Sequence, residues 1–310
     1  MPKKEVSAQK IHDHVERLGE LYPPIPLSSV DRTVRDPGTL RRRYGHVLNY
    51  LARVELEVDR NVLEILAVIP GVGDNDRFFY QDVWQPQEIQ HGLMLDQLCT
   101  DVGLPPSTPS LHIGAAHRLL GAMAHWAPMQ DVSRMMFYLS GASTERQAVL
   151  AYNSFLAGLE ELGEDAVVET VIKPIKRQEP GHFAFYRMSA ERMAARLRPW
   201  QFWMVQQLRG VSYNLVGTNG EERYKRDIGG LMVTFDLDKD LEAYAREIGR
   251  LEARLVWANR NGMEFPPYII DRMRESVELY QEKGLFSVPA RHDLAGSPAA
   301  AGLRLAGTAA

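Results

Sequence analysis

Cysteine is all but missing, since Cys99 is the only one in 310 residues. That excludes an internal disulfide, a thiolate zinc site and a Cys-ligated iron-sulfur cluster. Cys99 itself is expected as a small buried hydrophobe on a helix. Positive charge is not in excess either, and a net charge of -4 leaves no basic footprint for nucleic acid. The local basic clusters Arg41-Arg42-Arg43, Lys173-Lys176-Arg177 and Arg192-Arg196-Arg198 read as solvated helix faces. No apolar run approaches the roughly 18 residues that span a bilayer, and the opening MPKKEVSAQKIHDHVERL has no apolar signal core. A cytoplasmic chain with no membrane span is therefore expected. What is present, 45% hydrophobic and 25% charged residues, is the profile of a globular protein, and the length suits one large domain or one with a small appendage.

Helical periodicity dominates. Long helical patterns run from about Leu40 to Ile69, Asp76 to Val102, His112 to Trp126, Asp131 to Leu162 and Ala166 to Arg198, with a further one from Trp200 to Leu208. Turn signals such as PGVGDN and GLPPSTP separate them. Residues 211–238, rich in Gly, Asn and β-branched types, read as a loop or irregular hairpin, and helix returns at Leu241–Asn261 and Pro267–Lys283. The expected architecture is all-α: a four-helix bundle with additional helices. It divides into an N-terminal extension (1–39), the bundle with flanking helices (40–210), a C-terminal loop and helices packed on it (211–290), and a small-residue tail expected to be disordered (291–310).

Two Glu-x-x-His units stand out, Glu88 with His91 in WQPQEIQHG and Glu179 with His182 in KRQEPGHFAFY. On a helix the i, i+3 spacing puts both side chains on one face, within reach of one metal centre. Two further carboxylates sit on apolar stripes. Glu55 falls among Leu48, Leu51, Val58, Val62, Ile65 and Leu66, whereas Glu57 belongs to a charged face with Arg53, Arg60 and Glu64, where solvation is expected. Glu145 lies on the stripe of Leu139, Ala142, Val149, Tyr152, Leu156 and Leu159. A carboxylate buried there without a partner costs several kcal/mol or stays protonated.

Turn geometry links the four elements. Glu55 and Glu88 are 33 positions apart about the turn PGVGDN, and Glu145 and Glu179 are 34 apart about ELGED. In an antiparallel hairpin, residues equidistant from the turn sit at one height. Each hairpin thus sets a lone Glu level with a Glu-x-x-His unit, the inventory of a carboxylate-bridged dimetal centre in a four-helix bundle. Oxygen-rich ligands with two imidazoles suit iron or manganese, and four carboxylates neutralise two divalent ions. His12, His14, His46, His112, His117, His125 and His292 lack matching carboxylates or clean chelate spacing and read as surface or structural histidines. Tyr152 and Tyr186, near ligand positions, read as core aromatics.

From about Leu40 to Trp203 the chain resembles the soluble acyl-carrier-protein desaturases, ferritin-like di-iron carboxylate proteins. The likeness rests on Trp84, Glu88, His91 and Gly92, on Thr144-Glu145-Arg146-Gln147-Ala148, and on Glu55 followed by Val58. It implies two iron ions held by Glu55, Glu88, His91, Glu145, Glu179 and His182, with Glu88 and Glu179 bridging. It also implies O2 activation with electrons from a ferredoxin-type donor, hydrogen abstraction from an apolar or carrier-bound acyl substrate, and a homodimer. The chain departs from the pattern where the resemblance has acids: Gln87 precedes Glu88, and the second unit reads Gln178-Glu179-Pro180-Gly181-His182. Pro180 with Gly181 is expected to kink or restart the helix and to shift His182. The same ligand set also fits an N-oxygenase or hydroxylase of a small specialised metabolite, or a ferroxidase.

Overall fold

In the computed structural model the described residues are 6–68, 71–110 and 115–287, and they form helices and no strand. Helix α1 is Ala8–Leu21, capped by the Ser7 hydroxyl, which accepts from the Lys10 amide. The bundle follows: α2 (Pro37–Glu55), α3 (Val58–Val68), the short α4 (Asp74–Arg77), α5 (Gln85–Asp101), α6 (Ala115–Ala124), α7 (Ala127–Leu162), the single turn α8 (Asp165–Val167) and α9 (Lys173–Ala194). Then come α10 (Pro199–Ser212), α11 (Glu222–Thr234), α12 (Leu241–Leu255) and α13 (Pro267–Lys283). Helix α2 packs on α5 and α7 on α9, as the hairpin reading requires. Among the described residues, no helix is long and apolar enough to cross a membrane.

Several expectations change in detail. The first bundle helix is not continuous: it breaks after Glu55, where Leu56 and Glu57 form a turn before α3. Gly92 of α5 allows this, because a Cβ there would lie 2.7 Å from the Leu56 side chain. Helix α7 begins at Ala127 rather than Asp131, with Pro128 in its first turn, where no proline N–H is needed. The segment expected as loop or hairpin contains α11. Its Gly229-Gly230 pair marks close packing, as a Cβ on Gly229 would stand 2.0 Å from the Ser276 carbonyl oxygen of α13. The ends assigned to Ile69 and His112, and the tail 291–310, lie outside the described residues.

Pro180 does not interrupt α9, which runs helically from Lys173 to Ala194 with the proline inside it. Pro180 is exposed, so the carbonyl one turn back that loses its amide partner can turn to water. Two π-helical stretches do occur, Phe78–Trp84 leading into α5 and Val168–Ile172 leading into α9. Each precedes one Glu-x-x-His unit, and π turns inside helices concentrate at functional sites.

The core is in two parts with a polar layer between them. One part gathers Leu48 and Ala52 of α2, Met94 and Leu95 of α5, Tyr152 and Phe155 of α7, and Ile175 of α9. The other gathers Val58 of α3, Phe79 and Trp84, Leu139 and Ala142 of α7, and Phe185 of α9. Each of the four bundle strands of chain passes from one cluster to the other across its carboxylate: Glu55, Glu88, Glu145 and Glu179 all fall at the seam.

Candidate metal centre

All six residues singled out from the sequence converge in this seam. Glu55, Glu88, His91 and Glu179 form one buried group whose ligand atoms lie within 4.8 Å of one another, and Glu88, Glu145, Glu179 and His182 form a second. Glu88 and Glu179 belong to both. Their oxygens divide accordingly: Glu88 Oε2 is 3.5 Å from His91 Nδ1 and its Oε1 2.9 Å from His182 Nδ1. Glu179 Oε1 is 3.4 Å from His91 Nδ1 and its Oε2 3.8 Å from His182 Nδ1. Glu55 Oε2 completes the first group at 3.9 Å from His91 Nδ1, and Glu145 Oε2 the second at 3.6 Å from His182 Nδ1.

The imidazoles are oriented from behind. His91 Nε2 lies 2.6 Å from Gln178 Oε1, and His182 Nε2 lies 2.6 Å from Gln87 Oε1. An amide oxygen only accepts, so each ring donates its Nε2–H outward and turns the Nδ1 lone pair into the cluster. Both Nδ1 atoms, with Glu88 Oε1 and Glu179 Oε1, are buried and in no well-aligned hydrogen bond, although Glu88 Oε1 and His182 Nδ1 stand close enough to share a proton. Buried polar atoms left so are rare and costly. Four of them converging, two nitrogen lone pairs and two carboxylate oxygens, fit metal ions placed among them, and these buried Glu and His groups could hold a metal.

Protons fill the same role when metal is lacking. Burial would lower the His91 imidazole, but the facing Glu179 and Glu88 carboxylates raise it to about 9. Against the same burial, Glu145, Glu179 and Glu88 raise His182 well above its ordinary value. Burial, reinforced for Glu55 by Glu88, pushes the Glu55 and Glu145 carboxyls well up. Glu88 and Glu179 are pulled down in spite of their burial, chiefly by Glu55 and the histidines in the case of Glu88 and by the two histidines in that of Glu179. Two imidazolium cations against two carboxylates leave the layer close to neutral.

Two aromatic side chains hold the outer carboxylates. Tyr152 donates its hydroxyl to Glu55 Oε1 at 2.5 Å, and Trp84 donates its indole N–H to Glu145 Oε1 at 3.2 Å. Tyr152 thus does more than fill core, and Tyr186 stands beside a cavity. That cavity, of about 160 Å³, reaches Glu145 and is lined by aromatic residues, Trp84, Tyr186 and Phe137, and by polar ones, Arg60, Thr144 and Asn214.

Glu57 is a correction. It has the expected partners, Arg53 at 2.5 Å and Arg60 at 3.0 Å, but it is only 2% exposed. The Ser110 amide and the Asn219 side chain also donate to it, covering a face that the helical wheel alone assigns to water. The clearest omission is the glutamine pair, which enters the sequence reading only as a departure. The signal that could have found it is a repeat, Gln-Glu-x-x-His, present as QEIQH and as QEPGH. Of the other histidines, His14 and His46 are structural, bonded to Gly181 O at 2.9 Å and Thr234 Oγ1 at 2.8 Å, and His125 is exposed. The side chains of His112, His117 and His292 lie outside the described residues. Cys99 is buried, as expected. No protein-family model, curated protein or solved structure matches the chain.

Proposed function

We propose that this chain is a non-haem di-iron enzyme that uses O2 to oxidise a small organic substrate, with Glu55, Glu88, His91, Glu145, Glu179 and His182 holding the two ions. One observation carries the reading: two buried four-residue groups share Glu88 and Glu179, and each shared carboxylate turns one oxygen toward each histidine. Iron is preferred over manganese for the oxidase chemistry the resemblance implies; the oxygen-rich, two-imidazole donor set suits both. When bound, the pair of ions would supply O2 reduction and an oxidant able to take hydrogen from carbon or nitrogen.

The protein's own residues do the rest. Tyr152 and Trp84 fix the orientation of Glu55 and Glu145, the glutamines fix the two rings, and the two apolar cores keep bulk water from the layer. The cavity beside Glu145 favours a small metabolite, the N-oxygenase or hydroxylase reading, over a long acyl chain. Its volume of about 160 Å³ falls below the roughly 300–1,000 Å³ of pockets for larger ligands, and half its wall is polar. A ferredoxin-type donor would deliver the two electrons of each turnover.

The test is anaerobic reconstitution with ferrous iron, then mixing with O2. About two iron per chain are expected, with an oxidised absorption band whose decay is accelerated by small amines or amino acids and not by acyl carriers. Acceleration by acyl carriers alone would restore the desaturase substrate. Iron that accumulates far beyond two per chain, with no organic compound affecting the band, would make the protein a ferroxidase.

A further inference from the structure

The two glutamines that orient the histidines are themselves held, and from outside the bundle. Gln87 donates its side-chain N–H to the Tyr22 carbonyl. Gln178 donates to the Pro23 carbonyl at 3.0 Å and to the Tyr22 carbonyl at 3.3 Å. Both glutamine side chains are buried, at 0% and 2% exposure. Tyr22 and Pro23 are the two residues that follow α1, and α1 is seated on the second Glu-x-x-His unit. His14 Nε2 donates to the Gly181 carbonyl at 2.9 Å, and a Cβ on Gly181 would stand 2.3 Å from Leu18 Cδ1. At the other side Asn75 donates to the Ala8 carbonyl.

We propose that α1 and the Tyr22–Pro23 turn are a working part of the metal centre, setting through two glutamine amides which nitrogen of each histidine faces the ions. The proposal rests on the dimetal reading above. Its logic is a chain of one-way hydrogen bonds. A backbone carbonyl only accepts, so Tyr22 and Pro23 draw the NH2 end of each amide toward themselves and leave the oxygen end for the histidine. That oxygen accepts Nε2–H and leaves Nδ1 bare. With the amide turned round, its NH2 would meet Nε2, the ring proton would move to Nδ1, and neither ring could ligate.

The two departures from the desaturase pattern then have one cause. Only an amide has both the donor for the carbonyl and the acceptor for the ring; an ionised acid at Gln87 or Gln178 would set oxygen against oxygen. Glycine at Gly181 makes room for Leu18. The wiring is also crossed. Gln87, on α5 beside His91, serves His182 of α9, while Gln178, on α9, serves His91. Damage at one glutamine is therefore felt by the ion on the other helix's histidine.

The test uses full-length protein, titrated without oxygen with ferrous iron for stoichiometry and with cobalt(II) for its visible ligand-field bands. In Gln87→Leu, one of two ions should bind roughly 10- to 100-fold more weakly, the usual cost of losing a residue that orients a ligand. Gln87→Glu, which keeps an acceptor for His182 but sets an oxygen against the Tyr22 carbonyl, should recover only a small part of that loss while moving the cobalt bands; full recovery would show that the carbonyl is not needed. Added to His91→Ala, Gln87→Leu should remove the remaining ion; added to His182→Ala, it should change little. Leu18→Asp, which unseats α1 without touching a glutamine, should weaken both ions while helical content stays. Should Leu18→Asp fail to fold, the Gln87 series decides by itself. Wild-type affinity and bands in Gln87→Leu would overturn the proposal, and so would an effect confined to the His91 ion. A wild-type chain that takes up no metal sinks the dimetal reading, and this proposal with it.

Discussion

The two halves of the candidate metal centre share two carboxylates and differ in what stands behind the third. In the Glu55–His91 half, the outer carboxylate is tied to the Tyr152 phenol, which rises from one apolar core. In the Glu145–His182 half, it is tied to the Trp84 indole, which comes from the other core and also lines the cavity. One half is backed by a closed wall and the other fronts a space for a small molecule. Equal donor sets are thus given unequal surroundings, and under the function proposed above the second half is the one that would meet substrate.

The strongest way to break this comparison is to remove a ligand. Glu145→Ala and His182→Ala should each lose the ion of their own half, about one of the roughly two iron per chain, because each removes a residue that only that half has. Full iron content in both variants, read by elemental analysis, would refute the six-residue assignment. If the halves are equivalent, His91→Ala and His182→Ala should lose equal amounts of iron, so a clear difference between the two variants in metal content would sharpen the asymmetry.

Acidity acts on both halves together. Burial and the facing carboxylates raise His91, His182, Glu55 and Glu145, so the metal-free layer holds protons that metal ions would displace and loading should release protons. Apparent metal affinity should rise with pH up to about 9, where His91 loses its proton unaided. For the metal-free fold the sign is opposite. The raised His91 value stabilises it fully below the unfolded value of roughly 6.5, and that contribution is lost as pH climbs through about 9. Thermal unfolding with and without metal across that window checks both; a metal-free midpoint that rises toward pH 9 would contradict them.

Smaller effects separate the backing residues. Tyr152→Phe removes the hydroxyl held by Glu55 in a closed site and should cost about 1–3 kcal/mol of stability or the equivalent metal affinity. Trp84→Phe should cost less, because water in the cavity can replace the indole N–H, yet it should alter the response to substrate more. The smallest effect on metal is expected for Gly141→Ala. A Cβ there would lie 2.1 Å from the Tyr186 ring, so the variant should lose about 1–3 kcal/mol of stability by overpacking while the Glu55–His91 half keeps its ion.

The carboxylates were legible because the wheel and the turn count report local facts: Glu55 and Glu145 interrupt apolar stripes, and the hairpin turns set them level with their partners. What escaped depends on distant chain. Glu57 is buried by Ser110 and Asn219, neither of which the periodicity of its own helix can foresee. Helix α11 was hidden because Gly229 and Gly230, which usually punctuate loops, here make room for α13. The interruption expected at Pro180 did not occur because the proline faces solvent. Gln87 and Gln178 were visible only as missing acids until the carbonyls of Tyr22 and Pro23 stood beside them.

The seam between the two cores has a consequence for assembly. Because the chain crosses from one core to the other at four carboxylates, neither core can close without drawing those carboxylates and two imidazoles into one buried layer. The chain therefore cannot complete its hydrophobic collapse in ignorance of its cargo. Cations, protons or metal ions, must join the layer for the last gap to shut without stranding like charges, and folding is coupled to whatever neutralises it.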